Sequence, residues 1–79
     1  MHQQMPLHAL KVGESGMIID LSAEGILRRR LLDLGFVPGV AVKSERKSPF
    51  GDPMAYKVRG AIIALRREET ETISVTEIN

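Results

Sequence analysis

The middle of the chain contains one helix that has to end abruptly, and this feature constrains the fold more than any other. Residues 24–34 carry an apolar stripe at i, i+4 and i+7 that needs a core to face: Leu27, Leu31 and Leu34. Gly35 follows as a residue suited to the left-handed conformation that ends helices, and Pro38 prevents the helix from resuming. Ser22 is placed to cap the first turn. The sequence therefore predicts a single substantial helix, and the rest of the chain has to fold mainly as strands and turns.

Alternating apolar residues predict short strands on both sides of this helix. Three side chains share one face of the segment before it: Met17, Ile19 and Leu21. Residues 54–58 alternate apolar with polar or small side chains, so Tyr56 is expected to be buried and Lys57 to face solvent. Residues 61–65 are apolar throughout, which is typical of a central strand. Ile73 and Val75 predict the closing strand.

Turn-forming residues separate these strands. Pro38 and Gly39 follow the helix, residues 48–53 form a dense cluster of turn formers around Gly51, and Gly60 interrupts the pattern again. With a short helical turn at residues 66–71, the pattern predicts a mainly β fold of about five strands with one inserted helix. Such a chain is expected to form a small barrel, in which closure removes exposed strand edges. We expect one domain over residues 6–79, preceded by a disordered lead-in over residues 1–5.

The composition argues against catalysis. The 79 residues include no cysteine, which excludes disulfides, thiolate metal sites and thiol nucleophiles. There is no P-loop and no nucleophile-elbow motif. His2 and His8 are the only histidines, and a specific metal site needs further fixed ligands. We therefore expect no catalytic residue, no cofactor and no metal site. The first ten residues lack a signal-peptide pattern and no apolar run reaches membrane length, which predicts a soluble cytoplasmic protein.

The charges are distributed unevenly, and this asymmetry suggests a binding surface. Residues 28–67 contain ten basic and three acidic residues, whereas the last twelve residues contain four glutamates and no basic residue. The candidate partner-binding residues lie on the outer face of the helix and on a following strand: Arg28, Arg29, Asp33, Lys57 and Arg59. They are polar, expected to be exposed, and carried by rigid elements.

The sequence resembles the FeoA family of small cytoplasmic accessory proteins of bacterial ferrous iron transport. The resemblance rests on RRLLDLGFVPG at 29–39, SPFGDP at 48–53, YKVRG at 56–60 and ALRREE at 64–69, in order and at family-like spacing. It implies an SH3-like barrel and one partner, FeoB, a membrane permease with a cytoplasmic GTP-hydrolysing domain. It also implies that the chain regulates or supports Fe(II) uptake by binding that permease. Thr70 departs from the small apolar residue expected in the last helical turn.

Two other functions remain open at this stage. The central basic region could bind a nucleic-acid backbone, although the acidic C-terminal segment and the scarcity of aromatic residues for base stacking argue against it. Direct binding of Fe(II) would need ligands that the sequence does not offer. Recognition of proline-rich peptides is not expected either, because the chain has no tryptophan and only three aromatic residues. Exposed strand edges are compatible with a homodimer.

Overall fold

The computed structural model describes residues 3–78, which form one antiparallel sheet of six strands and two α-helices. The strands are β1 (Gln4–Pro6), β2 (Ser15–Leu21), β3 (Ala41–Lys47), β4 (Met54–Val58), β5 (Ala61–Leu65) and β6 (Ile73–Ile78). The helices are α1 (Gly25–Leu34) and α2 (Arg67–Thr70), and Leu7–Ala9 form a single 3-10 turn. The mainly β class with one inserted helix and a short C-terminal helical turn is confirmed.

The strands are arranged in the order β1-β6-β2-β3-β4-β5. The sheet gains one strand over the expected five because Gln4–Pro6 pair with β6, with Met5 opposite Val75. The expectation of a disordered lead-in is therefore wrong for Gln4 and Met5, while Met1 and His2 lie outside the described residues. Backbone hydrogen bonds to a neighbouring strand hold this segment in place despite its irregular composition.

The expected end of the helix is present and rests on local chemistry. Gly35 has a φ of 109°, its N–H donates to the carbonyl of Leu32, and the Phe36 N–H donates to Leu31 at 3.0 Å. This pair of bonds is a Schellman motif, which satisfies two carbonyls that the end of the helix would leave unpaired. The Val40 N–H then donates to Val37 across the Pro38–Gly39 turn, so the chain enters β3 directly.

The start of the helix differs from the expectation. Helix α1 begins at Gly25, one residue later than expected, and the residue before it makes no side-chain capping bond. Ser22 is not the cap, because its hydroxyl faces the Thr72 carbonyl at 3.5 Å and its N–H donates to the same carbonyl at 2.8 Å. Gly25 has a φ of 62°, a left-handed entry into the helix that glycine tolerates. Ser22 thus extends the contact between β2 and β6.

The core lies on the inner face of the sheet and is closed by α1. Leu31 is fully buried, and Leu27 and Leu34 pack against the core from the same helix, as their spacing predicts. Tyr56 is buried, as expected, and burial raises the pKa of its hydroxyl to about 12. The Thr70 side chain is also buried, and its hydroxyl donates to the Arg67 carbonyl at 3.1 Å, which accommodates a polar residue at this position.

The side chains of β2 do not all lie on the faces of the sheet that the alternating sequence predicts. Ile18 pairs with Val75 and Asp20 with Ser74, so Ile19 is an extra residue with no partner opposite it on β6. This β-bulge changes the face on which the following side chains lie. As a result Ile18 and Leu21 are buried while Met17 and Ile19 are exposed, so the three side chains expected on one face are divided between two.

Strand β5 lies at one end of the sheet rather than at its centre. It pairs with β4 alone among the described residues, and Ala61, Ile62 and Ala64 are exposed. Its apolar composition predicted burial on both faces, yet the strand is covered mainly at Leu65. Since β1 occupies the other end, the sheet keeps two end strands that do not pair with each other in the described part of the chain.

A charged contact connects the two helices. The Glu69 carboxylate accepts a hydrogen bond from the Arg66 N–H at 2.9 Å and a second one from the Arg30 guanidinium of α1. Burial alone would raise the pKa of Glu69, but these hydrogen bonds and the nearby positive charges outweigh it and hold the pKa below its usual value. The interaction fixes α2 against α1.

Candidate functional site

The five candidate partner-binding residues, which we call the helix–hairpin surface, are all exposed. Three lie on α1 and two at the end of the β4–β5 hairpin: Arg28, Arg29, Asp33, Lys57 and Arg59. The structure places these residues in four different environments.

Arg28 is the residue of this set that is tied to the fold. Its guanidinium donates to the carbonyl of Leu21 at 2.7 Å, across the chain segment that joins β2 to α1. A charged donor that satisfies the last carbonyl of a strand stabilises the entry to the helix. Arg28 is therefore a structural residue in addition to an exposed charge, and its replacement would disturb the helix position.

Arg29 and Asp33 form the free part of the helix face. They are one helical turn apart, and Ile26 precedes Arg29 by three residues, so the three side chains lie along one line on α1. Ile26 keeps 89% of its surface exposed, which is unusual for an isoleucine. Within residues 3–78, neither Arg29 nor Asp33 takes part in a salt bridge. The line combines an apolar side chain with two unpaired charges.

Arg59 lies beside the C-terminal end of α1. It has a φ of 50° and shares with Gly60 a two-residue turn between the paired residues Val58 and Ala61. Its side-chain methylene lies 3.6 Å from the position that a Cβ of Gly35 would occupy. The hairpin turn and the helix end are thus packed together, which places the Arg59 charge near the Asp33 end of the helix.

Lys57 belongs to a different face of the domain. It lies on the outer side of the sheet, with Lys43 opposite it on β3 and Ile62 opposite it on β5. Lys43 contacts Glu45 at 3.8 Å, whereas Lys57 takes part in no salt bridge that the described residues show. The structure therefore brings Arg59 to the helix end but leaves Lys57 on the sheet.

Sequence reasoning missed the exposed apolar side chains. Phe50 is 95% exposed in the β3–β4 loop, where the Gly51 N–H donates to Ser48 and holds a tight turn with Gly51 at a φ of 85°. Its position between a proline and a glycine indicates the tip of a turn, where a side chain is expected to be exposed. Ile26 could have been found from its place on the charged line of the helix.

The donor chemistry for a metal centre is sparse. No three His, Asp or Glu side chains come together as ligands in the part of the chain that the structure describes. His8 lies on the 3-10 turn, and its possible partner His2 is outside the described residues. No helix among the described residues is long and apolar enough to span a membrane.

These features define a class of protein: a small SH3-like domain whose exposed charges and apolar side chains are suited to binding. The sequence matches the FeoA domain family over residues 5–77. The domain is 32% identical over 75 residues to a Porphyromonas gingivalis protein named as an Fe(2+) transport protein A/Fe(2+) transporter FeoB fusion, covering 95% of this chain and 9% of that protein. The chain belongs to the FeoA family, whose members are named as ferrous iron transport proteins.

Solved structures agree with this assignment. The FeoA protein of Chlorobium tepidum superimposes with a TM-score of 0.88 and 39% identity, over 95% of this chain and 71% of that one. The Stenotrophomonas maltophilia FeoA, described as an SH3 domain protein and solved with zinc, has a TM-score of 0.80 and 32% identity over 90% of this chain and 88% of that one. The SH3-like fold is therefore confirmed.

Proposed function

We propose that this chain is a non-catalytic accessory protein of bacterial ferrous iron uptake that binds a FeoB-type GTPase-permease on its cytoplasmic side. The observation that carries the proposal is the Porphyromonas gingivalis relative, in which a similar domain and a FeoB transporter are named as one fusion protein. Fusion holds two modules at a high effective concentration, which favours modules that act on each other. A separate chain with the same fold would make the same contact between two molecules.

The helix–hairpin surface is the contact that we assign to this partner. The centre of a protein interface favours an apolar anchor, and its rim favours polar and charged groups. Ile26 supplies the anchor, while Arg29 and Asp33 supply charges that do not first have to leave an ion pair. Arg59 extends the surface at the helix end, whereas Lys57 lies on a different face, the outer side of the sheet, and is not part of the central contact.

The side-chain chemistry supports the proposal of a non-catalytic role. A hydrolase needs a nucleophile with a base beside it, or a fixed metal. In residues 3–78, His8 is the single histidine, and no His, Asp or Glu cluster is arranged to hold a metal ion. We therefore assign the exposed groups a binding role, through which the chain would act on its partner.

Binding of nucleic acid is the weaker alternative. Phe36 and Tyr56 are fully buried, which leaves Phe50 as the single exposed aromatic side chain in the described chain. Single-strand binding uses several aromatic side chains on which successive bases stack. Arg30, one of the central basic residues, is already paired with Glu69.

The proposal is tested by measuring affinity for the full-length FeoB homologue from the same genome, held in lipid nanodiscs, by interferometry. Arg29→Glu is the variant to use, because Arg28→Glu would also break the bond to Leu21. We expect Arg29→Glu to weaken binding by about tenfold, since a reversed charge at an interface repels the partner group that it faced.

Arg46→Glu is the matched control, because it makes the same change at an exposed position of β3. It is expected to leave the affinity within about twofold of wild type, where screened surface charges contribute little. Equal losses for the two variants would assign the effect to net charge and would overturn the surface assignment. Failure of the wild-type chain to bind the permease, with a salt-sensitive shift on RNA instead, would favour the nucleic-acid alternative.

A further inference from the structure

A pocket lies at the end of the paired strands β3 and β4 that is remote from Arg59. Its lining includes four basic side chains and no acidic one. Its volume is about 240 Å³, and its lining residues come from the 3-10 turn and the loop after it, from the facing ends of β3 and β4, and from the start of α2: His8, Ala9, Leu10, Lys11, Val12, Lys47, Met54 and Arg67. We call it the basic pocket. None of its charged side chains belongs to the helix–hairpin surface.

The basic pocket combines an apolar floor with a positive rim. Leu10 and Met54 are part of the core and present apolar surface, and Lys47 pairs directly with Met54 across the two strands. Lys11, Lys47 and Arg67 form no side-chain salt bridge with any described residue. No carboxylate belongs to the lining itself, so the three cations favour a negatively charged ligand in the pocket.

Three carboxylates lie near the rim, and two of them are held by backbone donors. Glu14 accepts the N–H of Lys11 at 2.8 Å, and Asp52 accepts the N–H of Arg67 at 2.9 Å. Glu71 is the third, and its charge acts on His8. Burial lowers the pKa of His8, the Arg67 charge lowers it further, and Glu71 opposes the change without reversing it. His8 is therefore largely neutral at pH 7 and can gain a proton when an anion binds beside it.

The size of the pocket decides which anion fits. Sites for small molecules and cofactors are typically about 300–1,000 Å³, so 240 Å³ is small for a nucleotide. It suits one apolar side chain on the floor, with carboxylates reaching the rim. We propose that the basic pocket binds an acidic peptide segment that carries one apolar side chain. This proposal is independent of the permease and concerns a second contact of the domain.

The test is an NMR titration of the ¹⁵N-labelled protein with the peptide acetyl-Glu-Glu-Leu-Glu-Glu-amide at millimolar concentrations and low salt. We expect the shifted amide signals to cluster at the pocket lining and the affinity to fall as salt is added. The peptide with serine in place of leucine should bind about tenfold more weakly, because the apolar floor then gains no buried surface. The pKa of His8, followed through its ring signals, should rise in the bound state.

Two variants on one strand decide whether the pocket is responsible. Lys47→Glu should abolish the shifts, whereas Lys43→Glu, four residues earlier on the outer face of β3, should preserve them. The amide spectra of both variants show whether they fold. No shifts at the pocket, equal losses in the two variants, or the same shifts with inorganic phosphate alone would each overturn the proposal.

Discussion

Removal of the Glu69 carboxylate tests how the two helices are held together. The side chain is 12% exposed and accepts hydrogen bonds from the Arg66 N–H and from Arg30, whose own side chain is half exposed. A hydrogen bond to a charged group contributes about 1.5 kcal/mol, and a partly hydrated ion pair contributes about 0.5 kcal/mol. Glu69→Ala should therefore lower the free energy of unfolding by about 2 kcal/mol, which lowers Tm by about 8–16 °C in a domain of this size.

A second variant separates the charge from the hydrogen bonds. Glu69→Gln keeps an acceptor for the Arg66 N–H but loses the charge, so it should cost about 1 kcal/mol. Glu68→Gln is the matched control, because the Glu68 side chain is exposed and makes no hydrogen bond to another described residue. It should leave the free energy of unfolding within about 0.5 kcal/mol of wild type.

The pH dependence of this difference has a defined sign. The pKa of Glu69 is lower in the folded state than the value of about 4.3 in an unfolded chain. Its contribution is therefore complete above that unfolded value and is lost as the pH falls through the folded value. Thermal or urea unfolding followed by circular dichroism should show the difference between wild type and Glu69→Gln at pH 7 and its disappearance in acid. A difference that stays constant down to pH 3 would refute the role of the carboxylate charge.

Three further predictions concern buried positions. Gly16→Ala should lower the free energy of unfolding in urea by about 1–3 kcal/mol. The added Cβ would lie 3.2 Å from Leu10, Val75 and the Thr76 carbonyl. An unchanged midpoint of urea unfolding would contradict this prediction. Ser44→Ala should keep or raise Tm, because the buried Ser44 hydroxyl has no hydrogen-bond partner among the described residues, and a loss of more than about 1 kcal/mol would reveal a partner. The single tyrosine should ionise with a pKa of about 12 in a spectrophotometric titration, and phenolate formed near pH 10 without unfolding would show that Tyr56 is not buried.

The parts of the fold that depend on local chemistry could be predicted from the sequence. The end of α1 rests on one glycine and on bonds within six residues, so Gly35 and Phe36 indicate it without further context. The facing of β2 could not be predicted, because the bulge at Ile19 arises from its pairing with β6, more than fifty residues later. Apolar composition likewise does not distinguish a central strand from β5, since position in the sheet depends on the whole topology.

The candidate site also contains some features that the local sequence predicts and others that depend on the whole topology. Arg29 and Asp33 are exposed as helical periodicity predicts, because a stripe of leucines on one side directs the other side to solvent. The bond from Arg28 to Leu21 depends on where β2 ends and could not be read from spacing. The basic pocket could not be predicted either, because its residues converge from segments nearly sixty positions apart, with no motif in any one of them.

Whether this domain binds a FeoB-type permease is measured by a titration against the full-length permease in nanodiscs. The titration is run with GDP, with a non-hydrolysable GTP analogue and without nucleotide, while GTP turnover is followed in parallel. We expect saturable binding that differs between nucleotide states and is weakened by Arg29→Glu but not by Arg46→Glu. Absence of binding in all three states, with the protein folded and the permease active, would contradict it.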